Sequence, residues 1–363
     1  MAVKPNDHLS SIPTSIHGSL SLDELSRLGV TTEGVLDFSV NTNPFGPPPS
    51  VLEVMSNMDI SIYPDPKAGT LRHLLARKHD VSIENVWVGN GSSELILLSS
   101  LAYLFRGDVS YVVGPTYGEY ERASQIVGAE VRSYTARAEG GFVVDMERLV
   151  EDIKAIKPRV IFICNPNNPT AQYIDVGQLL SLAAQFRDAL FIIDEAYISF
   201  TANGDSCISR DLKDNLLVLR SMTKDYALTG LRLGYGVARP EVIDSLCKVA
   251  TPWSVNSIAQ AAGIAALEDT EHLESSIKGI AEAREYLCNA LSDSGLEVFP
   301  SSANFFLVRV GDASTLRRKL LSNGICVRDC SSFGLPQFIR IGVRTMAECQ
   351  RFVEAMNQVL AEG

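Results

Sequence analysis

Short apolar runs alternate with helical patterns from about Asn85 to Ala238. Runs this short, separated by stretches with helical periodicity, are typical of strands that are buried on both faces of a sheet. Their alternation with helices predicts an α/β fold with a mostly parallel, doubly wound sheet. The predicted strands are Val86–Gly89, Val109–Gly114, Val160–Cys164, Leu190–Asp194, Leu216–Arg220 and Gly234–Ala238.

The pattern changes after Pro252. A long stretch from about Ser257 to Ser294 favours helix, and the apolar runs FFLVRV, GICVRDC and FIRIGVR follow it with short helices between them. Strands with helices on one side predict a smaller α+β domain. We therefore expect an N-terminal arm over residues 1–40 that packs on the small domain and the functional site, a large domain over 41–255, and a small C-terminal domain over 256–363.

Charge and composition narrow the function. The chain has 363 residues, and 43 acidic against 32 basic side chains give it a net charge of −11. It lacks the basic character that binding a nucleic-acid backbone requires, so we expect no nucleic-acid partner. No apolar stretch suits a secretion signal or a membrane span, and the seven cysteines are odd in number and scattered, so we expect a cytoplasmic protein. We expect no metal site, because the close pair Cys326 and Cys330 has no histidine nearby.

Polar residues follow two of the predicted strands, where an open α/β sheet binds its ligands. The turn Gly89–Ser93 lies between a strand and a helix, so its backbone N–H groups could hold a phosphate, although such a turn is more often only a helix cap. Asp194 ends another apolar strand. A carboxylate there is costly unless it meets a cation or a donor, or caps a neighbouring helix.

The segment LRSMTKDYALTGLRLGY supplies the missing context. It carries Ser221, Thr223, Lys224 and Arg232 directly after a strand. A lysine can bind an aldehyde covalently, hydroxyls and an arginine can hold a phosphate, and a carboxylate can hold a protonated ring nitrogen. The combination therefore predicts a cofactor with these three groups, whereas an exposed surface charge would account for the lysine alone.

The strings NPNNPT, DEAY, SMTK and LRLGY resemble those of the fold-type-I pyridoxal-phosphate enzymes in the class I/II aminotransferase superfamily, over about Asp37 to Arg344. The resemblance implies pyridoxal 5′-phosphate as the cofactor of the large domain. It implies that Lys224 binds the cofactor aldehyde and moves protons, and that Asp194 keeps the ring nitrogen protonated. The remaining implied contacts are Asn168 and Tyr197 to the ring oxygen, and Gly91, Ser92, Ser93, Ser221, Thr223 and Arg232 to the phosphate. Lys224, Asp194 and Tyr197 are the predicted catalytic residues.

Two tyrosines extend the resemblance, and one alanine departs from it. Tyr117 matches the aromatic residue that covers the cofactor ring, although an ordinary core tyrosine is the alternative. Tyr63 matches the residue that reaches the cofactor phosphate of the partner subunit, which implies a homodimer with composite active sites. Ala171 stands where the family usually has glycine, so we expect a slightly altered turn there.

Within the superfamily, the chain is similar to two sister groups, the histidinol-phosphate aminotransferases and the L-threonine-O-3-phosphate decarboxylases. The segments HGS, DFSVNTNPFGPP, EYERA, PWSVNSIAQAAG and VRDCSSFGLP favour the decarboxylases. We therefore predict decarboxylation of L-threonine O-3-phosphate to aminopropanol phosphate, a step of cobalamin side-arm synthesis. The alternative is a histidinol-phosphate aminotransferase of histidine biosynthesis, or a related amino-acid aminotransferase.

A small phosphorylated amino acid brings a carboxylate and a phosphate, which arginine binds with paired, charge-assisted hydrogen bonds. By resemblance, Arg340 binds the substrate carboxylate and Arg328 lies near the substrate phosphate. His17, Asn43 and Arg344 are weaker candidates for substrate binding, and a surface ion pair is the alternative for any of the arginines.

Two other classes of protein compete with this interpretation. A sensing module that kept the fold without catalysis is disfavoured because every catalytic position is filled. A nucleotide-binding oxidoreductase would depend on the glycine-rich turn alone, and the chain lacks the acidic ribose contact that such a site needs about 20 residues further on.

Overall fold

The computed structural model describes residues 3, 6–12, 34–202, 204–209 and 211–362. Its helices are α1 (Pro49–Ser56), α2 (Gly69–His79), α3 (Ser92–Tyr103), α4 (Glu119–Ile126), α5 (Met146–Ile156), α6 (Val176–Gln185), α7 (Pro240–Val249), α8 (Ser257–Glu268), α9 (Thr270–Asp293), α10 (Ala313–Ser322) and α11 (Met346–Ala361). Its strands are β1 (Leu36–Asp37), β2 (Val86–Gly89), β3 (Val109–Gly114), β4 (Glu130–Thr135), β5 (Val160–Cys164), β6 (Leu190–Asp194), β7 (Leu216–Ser221), β8 (Gly234–Ala238), β9 (Glu297–Val298), β10 (Phe305–Arg309), β11 (Ile325–Cys326), β12 (Arg328–Asp329) and β13 (Phe338–Gly342).

A seven-stranded sheet has the order β2–β8–β7–β6–β5–β3–β4. Only β8 runs antiparallel to its neighbours, so the prediction of a mostly parallel sheet is confirmed. Every predicted strand of this sheet is present, and β7 extends one residue further, to Ser221. The edge strand β4 was not predicted, because most of its side chains are polar and exposed and it therefore has no apolar run.

Helices cover both faces of this sheet, as a doubly wound fold requires. Side chains alternate between the faces along each strand: Ile161 and Ile163 of β5 pack in one core with α5 and α6, whereas Phe162 packs in another with α3 and α4. In the register of the sheet, Cys164 at the end of β5 is the partner of Asp194 at the end of β6. The loops that follow these strands therefore leave the sheet at the same edge.

The C-terminal part contains an antiparallel sheet of order β12–β13–β10–β9, covered by α9 and α11. The run GICVRDC forms two strands rather than one, because β11 pairs with β1 while β12 pairs with β13. The predicted helical stretch 257–294 is likewise divided at Asp269, whose carboxylate accepts the His272 backbone N–H and begins α9. Helix α8 packs with α1 and α2. The domain boundaries themselves stay predictions.

The segment from β1 to Asn41 crosses the C-terminal sheet on its way to the large sheet. Phe38 donates its backbone N–H to Cys326, and its carbonyl accepts the Gly342 N–H at 2.8 Å. None of the described helices is long and apolar enough to cross a membrane.

We expect Gly342→Ala to destabilise the protein. A Cβ at this position would overlap the Val40 carbonyl oxygen, and β13 and this segment cannot separate without losing their hydrogen bonds. Overpacking of this kind costs about 1–3 kcal/mol. Gly118→Ala is the control, because Gly118 has a helical φ of −67° and a Cβ there would meet no described atom within 4 Å. Urea unfolding measures both, and equal midpoints for the two variants would contradict the prediction.

Candidate active site

A cavity of about 350 Å³ opens at the carboxyl ends of β5, β6 and β7. These three strand ends and the N-terminal segment contribute to its walls, the segment through Ser39, Val40 and Asn41. The structure brings most of the residues named by sequence to this one cavity. They are Ser92, Ser93, Tyr117, Asn168, Asp194, Tyr197, Ser221, Thr223, Lys224, Arg232 and Arg340.

One end of the cavity combines hydroxyl groups, a guanidinium group and a helix N-terminus. Helix α3 begins at Ser92, and the N–H groups of its first turn have no partners within the helix. The hydroxyl oxygens of Ser221 and Thr223 lie 2.7 Å apart. A Cβ on Gly91 would stand 2.9 Å from Nη2 of Arg232, so the glycine is what lets the guanidinium group approach the turn. Together these donors suit a phosphate group.

Asp194 lies in the buried part of the cavity wall and is 3% exposed. Its Oδ2 accepts the Tyr120 hydroxyl at 2.8 Å, and its Oδ1 accepts the Ala196 backbone N–H at 3.1 Å. Burial raises the pKa of Asp194 to about 6, against the opposing effect of these hydrogen bonds and of the Lys224 charge. A cation within the cavity would stabilise the ionised carboxylate further.

Lys224 shares the cavity with Asp194 and with two arginines. Burial lowers the pKa of Lys224 to about 8, and the positive charges of Arg340 and Arg232 lower it further, whereas Asp194 raises it. An amine with this pKa is partly unprotonated near neutral pH. It can therefore act as a nucleophile towards an aldehyde and as a proton acceptor.

Arg340 is buried beside Asn168. Its Nη1 donates to Asn168 Oδ1 at 2.5 Å and its Nη2 to the Ser39 carbonyl at 2.6 Å, while Nε is buried without a hydrogen-bond partner among the described residues. A buried donor without a partner beside a cavity is explained by an acceptor that binds there. The Tyr197 hydroxyl, also buried, accepts from Asn41 Nδ2 at 3.4 Å.

Arg328 lies directly across from Arg340 in the β12–β13 pairing, and both are buried. Burial lowers the pKa of Arg328, and the Arg340 charge lowers it further. Like charges opposite each other in a sheet destabilise it. Ser332 accepts a hydrogen bond from Arg328 Nη2 at 2.7 Å. Two guanidinium groups placed opposite each other suit an anionic ligand.

Five predicted residues of the described part do not line the cavity. Gly91 and Arg328 are neighbours of lining residues, whereas Asn43, Tyr63 and Arg344 make their side-chain contacts elsewhere. The side-chain amide of Asn43 donates a hydrogen bond to the Asp225 carbonyl at 2.9 Å. Arg344 donates to the Glu348 carboxylate at 2.7 Å and also to the Asp37 carbonyl. Tyr63 is 78% exposed and packs against Trp253, with ring centroids 4.9 Å apart. His17 lies outside the described residues.

The sequence analysis missed several members of the cavity wall. Tyr120 holds Asp194, and Asn41 contacts Tyr197. Tyr120 follows Tyr117 by three residues across the start of α4, and their ring centroids lie 5.6 Å apart, so this short spacing could have suggested it. The contribution of Asn41 depends on the path of the N-terminal segment, for which the sequence carries no such spacing. Ala171 has a φ of 56°, the left-handed conformation that glycine adopts without strain, and the expected alteration of this turn stays a prediction.

The donor set fits pyridoxal phosphate on chemical grounds: a reactive lysine, a buried carboxylate that favours a cation, and a phosphate cradle. A doubly wound fold with this set at its strand ends defines the class of fold-type-I pyridoxal-phosphate enzymes. The chain belongs to the aminotransferase class I and II family, whose model matches residues 33–356. The predicted cofactor and superfamily are thereby confirmed, and the chain is an enzyme of this family.

Relatives with two different names share this family. Histidinol-phosphate aminotransferase of Moorella thermoacetica is 34% identical over 94% of this chain and 89% of its own length. L-threonine-O-3-phosphate decarboxylase from Porphyromonas gingivalis has a solved structure that is 29% identical, with a TM-score of 0.79 over 90% of this chain and 100% of its own. The adenosylcobalamin biosynthesis bifunctional protein CobDQ of Leptospira interrogans is 32% identical over 94% of this chain and 41% of its own length.

Most of the similar curated relatives carry the aminotransferase name. They therefore support the alternative of the sequence analysis better than its main prediction, the decarboxylase.

We expect Tyr120→Phe to weaken cofactor binding. The variant loses the hydroxyl donor that favours ionised Asp194, so the pKa of that carboxylate rises and its attraction for a cationic ring falls. A lost hydrogen bond to a charged group costs about 1.5–3 kcal/mol, or about 10- to 100-fold in affinity. Titration of the apoprotein with pyridoxal phosphate measures it.

The matched control is Tyr111→Phe. The Tyr111 hydroxyl also donates to a carboxylate, that of Asp152 at 2.7 Å, but neither residue lines the described part of the cavity. Equal affinities in the two variants would rule out the assigned role of Tyr120.

Proposed function

We propose that this enzyme is an aminotransferase for a small phosphorylated amine, with histidinol phosphate as the first candidate substrate. The observation that carries the proposal is the cavity that Lys224, Asp194 and the buried Arg340 line, with the buried Arg328 directly across from Arg340 in the β12–β13 pairing. The names of relatives that match over most of the chain support the choice of reaction. A reducing cytoplasm remains the proposed location, in keeping with seven free cysteines.

The arginine pair selects an anionic substrate. Arg340 has a buried Nε without a partner among the described residues, and Arg328 is its neighbour across the strands. A carboxylate or phosphate held by both would satisfy the free donor and offset the repulsion between the two cations. In transamination the amino donor and the oxo-acid acceptor would bind at this site in turn. A site with two arginines could hold the anionic groups of both.

Bound pyridoxal phosphate supplies an electron sink for the substrate Cα, and the protein supplies the proton acceptor. We assign that role to Lys224, whose lowered pKa of about 8 leaves part of the population unprotonated near neutral pH. Asp194 would stabilise the positive charge of the ring nitrogen. Asn168 and Tyr197 would donate to the ring oxygen, since Asn168 uses only its carbonyl oxygen on Arg340.

We also propose a homodimer with composite active sites. Tyr63 and Trp253 pack on each other at the surface, and Ile60 and Ile62 beside them are 76% and 65% exposed. A cavity of about 350 Å³ lies between this segment and α8. Exposed apolar groups this close together favour burial against a second copy, which would bring Tyr63 to the phosphate end of the partner's cavity.

Decarboxylation of threonine phosphate remains the second candidate function. The decarboxylase structure at 29% identity and the CobDQ relative support it, as do the segments noted in the sequence. Both reactions use the same residues and differ in which bond at the substrate Cα stands perpendicular to the cofactor ring. The arginine pair fits the carboxylate and phosphate of this substrate as well.

Two incubations distinguish the candidates. With histidinol phosphate and 2-oxoglutarate we expect glutamate to form, and with L-threonine O-3-phosphate we expect little CO₂. Release of CO₂ from threonine phosphate without glutamate formation would replace the proposal with the second candidate. Arg328→Ala should raise KM for either phosphorylated substrate about 10- to 100-fold, because a paired contact to a charged group is lost. Arg309→Ala, on the same sheet but paired with Glu297 at 2.7 Å, is the control.

Subunit mixing tests the composite site. Tyr63→Ala and Lys224→Ala chains are each expected to be nearly inactive alone, and their heterodimer should regain one working site. Mixing Tyr63→Ala chains with Tyr63→Ala/Lys224→Ala chains is the control, because no site in that heterodimer is complete. An active monomer in sedimentation, or no recovery after verified exchange, would exclude shared sites.

A further inference from the structure

Asp225 follows Lys224 directly and has no role in the sequence analysis. It is 8% exposed and is not one of the described residues that line the cavity. A carboxylate in the protein interior behind a reactive lysine is costly unless its partners compensate for the lost hydration. The identity of those partners indicates what this carboxylate does.

The Asp225 carboxylate joins two cavity-forming segments. Its Oδ2 accepts the Ser199 hydroxyl at 2.8 Å, and its Oδ1 accepts the Tyr226 backbone N–H at 3.0 Å. Ser199 lies in the turn Ile198–Phe200, directly after Tyr197. The carboxylate therefore ties the loop of Lys224 to the segment that carries Asp194 and Tyr197.

Asn43, which lies in a third segment, binds the backbone of Lys224 and Asp225. The Asn43 backbone N–H donates to the Lys224 carbonyl at 2.9 Å, and Asn43 Nδ2 donates to the Asp225 carbonyl, also at 2.9 Å. Asn43 was a candidate for substrate binding, but in the structure its side chain fixes the peptide beside the lysine. Three segments that are far apart in sequence thus meet at the Lys224–Asp225 peptide.

Two cations face this carboxylate. The charges of Arg220 and Lys78 favour the ionised form of Asp225, against the burial that raises its pKa. Arg220 is itself paired with the buried Glu195 at 3.0 Å. The two carboxylates, Asp225 and Glu195, thus balance the two cations, Arg220 and Lys78. Buried polar groups that are all satisfied in this way form a rigid network.

We propose that Asp225 is a positioning residue for Lys224, which it holds in place relative to Asp194 by tying their loops together through Ser199. The inference rests on the proposed role of Lys224 as the cofactor-binding lysine. Proton transfer at the substrate Cα depends steeply on where the amine lies, so a loosened loop slows the chemical step more than it weakens substrate binding.

The test compares Asp225→Ala, Asp225→Asn and Ser199→Ala in the holoenzyme. Asp225→Ala should lower kcat about 10- to 100-fold, since it removes hydrogen bonds to a charged group, with a much smaller change in KM. Asp225→Asn keeps an acceptor for the Tyr226 N–H and offers a donor to Ser199, so it should retain most of kcat. Ser199→Ala removes only the hydroxyl, should lower kcat in the same direction, and keeps the test usable if Asp225→Ala does not fold.

The second readout is the visible circular-dichroism band of the bound cofactor, which reports how asymmetrically the ring is held. We expect a weaker band in Asp225→Ala and Ser199→Ala, and a normal one in the control Asp152→Asn, whose carboxylate accepts the Tyr111 hydroxyl away from the cavity. Wild-type kcat and band in folded Asp225→Ala would overturn the inference. Equal defects in the asparagine and alanine variants would also overturn it. The lost negative charge of Asp225, and not the lost hydrogen bonds between the loops, would then be responsible.

Lys224→Ala separates this inference from the function on which it rests. If Lys224→Ala retains turnover, the proposed function fails. If Lys224→Ala is inactive while both Asp225 variants and Ser199→Ala match the wild type, only the positioning role fails.

Discussion

The rest of the site depends on one unfavourable placement, a carboxylate at the end of a fully buried strand. Asp194 has lost its hydration, and Tyr120 and the Ala196 N–H replace only part of it. The remaining stabilisation must come from positive charge, which Lys224 supplies in part. In the proposed function, a cofactor with a basic ring nitrogen would complete it, and the same carboxylate would keep that ring protonated.

Burial shifts the pKa values of Lys224 and Asp194 in opposite directions. Burial favours the neutral form of each, so it raises the pKa of Asp194 and lowers that of Lys224. The arginines add to the effect on the lysine without pairing with it. A site in which the pKa values of an acid and a base approach each other is suited to proton transfer near neutral pH. Either candidate reaction needs such proton transfer.

The N-terminal segment adds a wall to the crevice at the strand ends. Ser39 accepts from Arg340, Asn41 donates to Tyr197, and Asn43 holds the Lys224 carbonyl. Each contact joins residues separated by well over a hundred positions. In the proposed function, the choice between transamination and decarboxylation would lie in how these walls orient the substrate Cα.

The sequence by itself determined the class of the fold and most of the cavity. Buried parallel strands read as continuous apolar runs, and their ends must carry whatever chemistry the sheet has, so Asp194, Lys224 and Arg232 could be found from local pattern. The exposed strand β4 had no such pattern and was missed. Only the tertiary structure decided that Tyr120 donates to Asp194, that Arg328 opposes Arg340, and that Asn43 donates to the Lys224 carbonyl. These contacts join segments distant in sequence, and strand register and chain crossing, not local composition, determine which side chains meet.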